Sequence, residues 1–498
     1  MAPGLKIGPD PEQGIERATI NPNSTMRRAL QHTKITFTLG PATESEEMLA
    51  KLINAGVDLC RLNMAHANHE WTRNMIRRIK TVCNRLGRHI AIMMDVKGPE
   101  IRTGDVAAPF NLQEGQLFDL LTDEGTPGGD DIVHVTVNYR GFPADVAVGR
   151  TVLVDSGLIR LVVMEKFPGR VRCRVAVPGK MSSRRHINLP GVKVNLPALT
   201  QKDRGDIEVG IAEGVDFFAL SFVREANDLD LLRRFLTEHR SRAKIIAKIE
   251  DQSAIANLDE IVSASDGLMV ARGDLGIECP FEDLPIIQHR AIQKCIAHRR
   301  PVIVATHMLE SMIQSPVPTR AEVTDIAHAV LEQADCIMLS GETTSGKYPL
   351  ECVETMKRIA DRLELDGEFP AQPPLVLKSH KDKLLAAAMK LAQETGRAGI
   401  VVFSRNGNLP AVLSALRTRR CPIYAFTDVE PVFKQMLLLW GVEPFLMEFS
   451  KDPEKTIQDS FAYLKRREWA EKGEWLVVVT NVLMGEKVID SIQLREVE

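Results

Sequence analysis

Short apolar runs alternate along this chain with amphipathic segments, and most of the runs end in a charged or hydroxyl residue. In KITFTLGPAT, at 34–43, the alternation over 34–39 predicts a strand that Gly40 and Pro41 break. The following SEEMLAKLINAG has an acidic first turn and a closing glycine, which predicts a helix. VDLCRLNMAH repeats the arrangement, with Arg61, Asn63 and His66 behind an apolar run. A helix over 70–86 then leads to a third run, HIAIMMDVKGPEIRTG. Three strand–helix repeats in succession point to a parallel α/β body.

From 105 to 195 the rhythm changes. FDLLTD, IVHVTV, TVLVDSGLIRLVVMEKF and RVRCRVAV are β-like runs parted by Gly and Pro turns, without a convincing helix. A small inserted all-β domain, of barrel form, is expected there. Helix and strand alternate again from LTQKDRGDIEVGIAEGVDFFALSFV through KIIAKIE, DGLMVARGD, RPVIVATHMLESM and ADCIMLSGETTSGKYP. The body at 32–104 and 196–368 thus holds eight strand–helix units, the number that closes a (β/α)8 barrel. An open doubly wound sheet is the alternative, but no G-x-G-x-x-G follows the first strand to favour it. Beyond the linker FPAQPPLVLKSH, the stretch 369–498 predicts a separate three-layer α/β domain. Residues 1–31 are expected to form an arm with a short helical pattern, TMRRALQ.

Composition narrows the class. A chain of 498 residues exceeds what one hydrophobic core supports, which fits several domains. A net charge of -3 with no dominant basic face gives no case for a nucleic-acid partner. The eight cysteines stand singly, with no C-x-x-C pair, as reduced thiols in a cytosolic protein do. No run is long and apolar enough to span a membrane, and MAPGLKIGPDPEQGIER does not read as a secretory signal. A cytoplasmic location is expected.

The chemistry collects where the strands end. Lys248 and Glu250 follow one run and Arg272 and Asp274 the next, so a parallel sheet sets all four at one edge. Thr38, Arg61, Asn63, His66, Asp95, Lys97, Arg102, Ser221, Thr306 and Glu342 end other units. A lone carboxylate after a strand more often caps the next helix, and a lone arginine more often pairs at the surface. Independent caps, however, need not follow nearly every strand on one side. Glu250 and Asp274 offer hard oxygens suited to Mg²⁺ or Mn²⁺. Arg61, Arg102 and Lys248 would balance a substrate of several negative charges, and amides of the 271–274 turn can face a carboxylate or phosphate. The residue types imply metal-assisted handling of a phosphorylated or enolisable small acid.

Over nearly its whole length the chain resembles the pyruvate kinase family. The matching motifs are TLGPAT at 38–43, MMDVKGPEIRTG at 93–104, NLPG at 188–191, AKIE at 247–250, DGLMVARGDLGIE at 266–278, ATHMLESM at 305–312 and ADCIMLSGETTSGKYP at 334–349. The resemblance implies a TIM barrel with an inserted β-domain as lid and a C-terminal α/β domain. It also implies Mg²⁺- or Mn²⁺-dependent phosphoryl transfer from phosphoenolpyruvate to ADP, giving pyruvate and ATP. Lys248 matches the lysine that neutralises the transferring phosphoryl group and the developing enolate. Glu250 and Asp274 match the divalent-metal ligands, and Thr306 the threonine near the enolate face. Amides of Gly273 and Asp274 would hold the substrate carboxylate; Ser221 is a further substrate-side position and Arg61 contacts the phosphoryl group. Thr38, Pro41, His66, Arg102 and Arg185 match nucleotide-side positions. Asn63, Asp95 and the Val96 carbonyl would hold K⁺, and the lid would exclude water. The family pattern implies a homotetramer built through barrel and C-terminal contacts.

Several positions depart from that pattern. Ala65 removes a serine hydroxyl expected at the K⁺ site, whereas Glu100 is the residue of cation-dependent members. The lid carries Arg184, Arg185 and His186 in place of paired lysines and glycine, and Asp155–Ser156 in place of two aspartates. His307 and His328 replace glutamine and asparagine, and neither is assigned a catalytic role. The loop FSRNGNLP offers Ser404, Asn406 and Gly407 as anion donors, and TNVLMGEKVID keeps only Gly485 of a glycine-rich turn. The alternatives are a metal-dependent pyruvate-enolate aldolase or lyase, and a catalytically silent relative that serves as a sensor.

Overall fold

Alternate residues of eight parallel strands decide the shape of the body. The strands are Lys34–Thr38, Leu59–Asn63, Ala91–Val96, Phe217–Leu220, Lys244–Ile249, Gly267–Ala271, Val302–Ala305 and Cys336–Met338, and the first pairs with the last to close a barrel. One parity packs inward, with Leu59, Met93, Phe217, Ala219, Ile246, Met269, Ile303 and Met338 filling the interior. The other parity, such as Phe37, Leu62, Met94, Phe218, Val270 and Val304, packs outward beneath the helices. Both faces are buried, so the strands read as apolar runs. The computed structural model describes residues 31–498 except 124, 129, 130, 371, 373, 397, 420, 485 and 486. The expected arm up to residue 30 and Gly485 therefore lie outside the described residues.

Local signals stop and start the helices where the pattern placed them. Ser45 caps Glu46–Ala55 by accepting from the Met48 amide, and Gly56, at φ 103°, ends it in the left-handed region. Thr200 and Thr319 form capping boxes at the starts of Gln201–Ala212 and Arg320–Leu331.

The insertion, joined by the barrel's exit strand Ile101–Arg102, holds a seven-stranded sheet whose edges, Ile101–Arg102 and His134–Thr136, meet in a bridge between Thr103 and Val137, and a separate pair, Phe110–Leu112 with Gly179–Met181. The run TVLVDSGLIRLVVMEKF splits into Thr151–Val154 and Ile159–Phe167, because Asp155, Ser156 and Gly157 all take positive φ. A single helical turn, Phe142–Asp145, corrects the expectation of no helix here; Pro143 sits in its first turn and Phe142 is buried.

In the C-terminal domain, Val442–Leu446, Ile423–Thr427, Gly399–Phe403 and Trp475–Met484 lie parallel in that order. Ile400, Val402, Val477 and Val479 pack on one face, while Val401, Leu476 and Val478 pack on the other. That alternation makes three layers. Lys487–Glu496 closes the sheet as an antiparallel hairpin strand, ending the simple alternation of helix and strand.

This domain plugs the barrel floor. Leu438 joins the barrel interior, and buried Lys34 donates from Nζ to the Val442 carbonyl at 2.9 Å. Asp335, just before the last barrel strand, accepts from Arg417 Nη2 (2.7 Å), the Trp440 amide (3.1 Å) and the Val302 amide (3.0 Å).

Candidate active site

Following the inward parity to the strand ends brings the polar residues together. Two residues beyond Leu59, Met93, Ala219 and Ile246 stand Arg61, Asp95, Ser221 and Lys248, with Glu250 one step further. Lys248 Nζ lies 3.2 Å from Asp95 Oδ1 and 2.8 Å from Glu250 Oε1, and donates to Ser221 Oγ at 2.7 Å. Arg61 Nη2 and Nε each lie 2.7 Å from Asp95 Oδ2, and its Nη1 donates to Thr38 Oγ1 at 3.2 Å. Ser221 Oγ in turn donates to the Val96 carbonyl at 2.8 Å. Glu250 Oε2 accepts from the amide of Phe222, whose φ of 53° turns that N–H inward.

The electrostatics of this cluster are unbalanced. Burial pulls the Lys248 pKa down, but Asp95 and Glu250 outweigh it and hold the ammonium charged. Burial also opposes ionisation of Asp95, and Lys248 and Arg61 overcome it, so its pKa is lowered. Glu250 goes the other way: burial and the nearby Asp274 raise it despite Lys248. Asp274 is likewise raised by burial, with Asp95 adding to the effect. A buried carboxylate, Glu250, whose ionisation the half-buried Asp274 disfavours, makes with it a donor set that a divalent cation would relieve, and their hard oxygens suit Mg²⁺ or Mn²⁺.

Thr306 and the Gly273/Asp274 turn sit against each other. Thr306 (φ 70°) and His307 (φ 57°) both occupy the left-handed region, a strained arrangement for residues with a Cβ. Arg272 braces it, donating to the Thr306 carbonyl at 2.7 Å while its Nη1 meets Asp325 Oδ1 at 2.6 Å. Thr306 Oγ1 accepts from the Gly273 amide at 2.7 Å and donates to the Ala305 carbonyl at 2.6 Å. Beside this turn opens a cavity of about 690 Å³ that takes in Ser156 of the lid, His307 and His328.

The remaining residues divide. Arg102 pairs with Glu100 at 2.7 Å and donates to the Arg184 carbonyl, tying the barrel's exit segment to the lid. Lys97 also meets Glu100, at 2.9 Å, and the two cations lower that carboxyl against the effect of burial. On the lid, Arg185 pairs with Asp155 at 3.1 Å and donates to Ser182. Pro41 and His66 are exposed at the rim, outside the bonded cluster. Asn63 Oδ1 accepts from the Ala65 amide at 3.1 Å. Glu342, expected at the mouth, accepts there from the Ser340 (2.7 Å) and Leu309 (2.9 Å) amides and fixes two of its loops. The sequence reading did not single out the bracing role of Arg272 and Asp325, 53 residues apart. It also missed the contact of Asn188 with Glu278, although each lies in a quoted motif; burial, with Asp251 and Asp274, holds the Glu278 carboxyl at about 7.

Comparison with known proteins adds to this geometry. The family descriptions "Pyruvate kinase, barrel domain" and "Pyruvate kinase, alpha/beta domain" match residues 30–353 and 382–493. The chain is 40% identical over 474 residues to "Plastidial pyruvate kinase 3, chloroplastic" of Arabidopsis thaliana, spanning 94% of this chain and 82% of that one. It is 38% identical over 467 residues to a pyruvate kinase of Staphylococcus epidermidis, across 92% and 79% of the two chains. A crystal structure of a pyruvate kinase from Cryptosporidium parvum superposes with a TM-score of 0.87 at 32% identity, covering 94% of this chain and 97% of that one.

Proposed function

The chain belongs to the pyruvate kinase family, and from that premise we propose how its barrel mouth divides the work of phosphoryl transfer from phosphoenolpyruvate to ADP. The reaction yields pyruvate and ATP, the final step of glycolysis. One observation carries the assignment: a buried, charged Lys248 bridges Asp95 and Glu250 beside a second raised carboxylate, Asp274.

Lys248 and Arg61 place fixed positive charge where the phosphoryl group leaves its enolate oxygen, and Asp95 orients both cations. Ser221 holds Lys248 on the substrate side. Glu250 and Asp274 would hold the divalent metal, which supplies further positive charge to the phosphoryl group and the enolate when bound. The Asp274 amide would hold the substrate carboxylate, joined by the Gly273 amide once that N–H leaves Thr306 Oγ1, and Thr306, near the enolate face, would then pass a proton through water. Thr38, Pro41, His66 and Arg102 line the nucleotide side, and Arg185 brings the lid's charge to the ADP phosphates. Lid closure over the mouth keeps water from competing with ADP.

Asn63 Oδ1, an Asp95 oxygen and the Val96 carbonyl are donors of the kind K⁺ takes, one hydroxyl short because residue 65 is alanine. The division of the chain at 32–104 with 196–368, 105–195 and 369–498, with a homotetrameric assembly, completes the reading. No helix among the described residues is long and apolar enough to cross a membrane. We place the enzyme in the cytoplasm; fractionation would separate this from the plastid location that the Arabidopsis relative's name records for that protein.

The test is a coupled assay of ADP-dependent pyruvate formation from phosphoenolpyruvate with Mg²⁺ and K⁺. The wild-type protein turns over, and Lys248→Met loses about 10²–10³-fold in kcat. Equal background rates for the two proteins would remove Lys248 from the mechanism. Aldol cleavage without ATP formation would move the protein to the lyase alternative.

A further inference from the structure

Lid and barrel share one buried side-chain pair that the roles above leave unused. Asn188 ends the lid strand His186–Asn188, and its Nδ2 donates to Glu278 Oε1 at 2.8 Å. Glu278 ends the helix Arg272–Glu278, whose first turn carries Gly273 and Asp274. Both side chains are more than nine-tenths buried. The surroundings hold the pair from several directions. Gln252 Nε2 donates to the Glu278 carbonyl at 2.5 Å, and Arg224 grips the Val194 and Leu196 carbonyls of the lid's return segment at 2.9 and 2.7 Å. Asn188 Oδ1 is buried with no hydrogen-bond partner among the described residues, so the contact is made through one bond where two are possible.

The position of this pair matters more than its strength. Arg185 lies three residues before Asn188, and Asp274 lies four residues before Glu278 on the same short helix. A movement of the lid strand therefore reaches, through this buried contact, the helix whose first turn is read as facing the substrate acid. We propose that the Asn188–Glu278 pair couples the binding of the two substrates, so that nucleotide held by the lid and acid held by the Gly273/Asp274 turn each favour the other. The link rests on the reading above, in which Arg185 faces ADP and the turn faces the three-carbon acid. Both members are positioning residues; neither touches a reacting atom. Linkage makes the effect reciprocal, so either ligand can report it.

The experiment is a calorimetric titration of the full chain with ADP and Mg²⁺, in the absence and presence of saturating pyruvate, a pair that cannot react. In the wild type, pyruvate tightens ADP binding by about fivefold or more. Asn188→Ala and Glu278→Ala each bring that factor to about one, while far-UV circular dichroism stays that of the wild type. Asn188→Ser replaces the alanine variant if the latter does not fold. Glu278→Gln keeps the acceptor and adds a donor for Asn188 Oδ1, and it preserves the factor. The proposal is overturned if the alanine variants keep the wild-type factor, if Glu278→Gln loses as much as Glu278→Ala, or if pyruvate leaves wild-type ADP affinity unchanged. Arg185→Ala separates the two readings. If it leaves ADP affinity untouched, the nucleotide-side assignment falls and takes the link with it. If it weakens ADP while the alanine variants retain the factor, only the link falls.

Discussion

Both ends of the barrel bury charge, and they do so in opposite ways. At the floor, Asp335 receives three donors, from Arg417, Trp440 and Val302, so its buried carboxylate is met by one cation and two amides. At the mouth, Lys248 is shared between two carboxylates, and Glu250 and Asp274 remain raised by burial. Burial alone does not mark function: Asp58 and Asp216 near the floor are raised by it too, each beside a single backbone amide, from Ile35 and Ile92. What sets the mouth apart is carboxylate beside carboxylate, Asp95 and Glu250 buried and Asp274 half-buried, an arrangement that costs stability and suits a cation and an anionic substrate. The floor holds domains together; the mouth waits for ligands.

The sharpest way to break this contrast is at the floor. Arg417→Met leaves the buried Asp335 carboxyl without its cation, and denaturant unfolding should show about 3–5 kcal/mol of lost stability. The kcat of the folded fraction should stay that of the wild type. A collapse of kcat at full folding would assign the floor a catalytic duty that the contrast denies it.

A smaller effect concerns pH. The folded-state pKa of Asp216 is raised by burial to about 6, above its ordinary 3.8. The folded protein therefore holds that proton longer than the unfolded chain, and stability declines as pH rises from about 4 to about 6, then levels off. Asp216→Asn keeps an acceptor for the Ile92 amide and removes the decline, a gain of no more than about 3 kcal/mol at neutral pH. Melting temperatures of both proteins across that range check it; parallel curves would contradict the assignment.

The smallest change sharpens the mouth. Ala65→Ser restores a hydroxyl beside Asn63, and the K⁺ concentration for half-maximal rate should fall a few-fold in a titration against tetramethylammonium. An unchanged K⁺ requirement would remove residue 65 from the cation site.

The mouth was legible in the sequence because its residues obey a period of two. Once Met93 or Ile246 is inward, Asp95 or Lys248 must be inward too, and the motifs place each at a strand end. The Gly273/Asp274 turn was legible because it follows an apolar run directly. The floor left no such trace. Lys34 opens a strand as an ordinary charged residue would, and its partner carbonyl lies 408 residues away. Arg417 sits at φ 52° behind a short helix, and only the packed domains reveal that it reaches Asp335. The Asn188–Glu278 contact spans 90 residues and two domains, so no local periodicity could announce it. The final hairpin strand, too, needed the sheet to show its direction.

The most direct test of the contrast is the unfolding midpoint of Glu250→Gln in metal-free buffer, measured beside its response to Mg²⁺. Removing one of two opposed carboxylates should leave the midpoint at or above that of the wild type. It should also abolish turnover and the Mg²⁺-induced rise, which for the wild type is about 2.7 kcal/mol at a hundredfold excess over Kd. A Glu250→Gln protein that loses as much stability as Arg417→Met, or that still gains stability from Mg²⁺, would contradict the account.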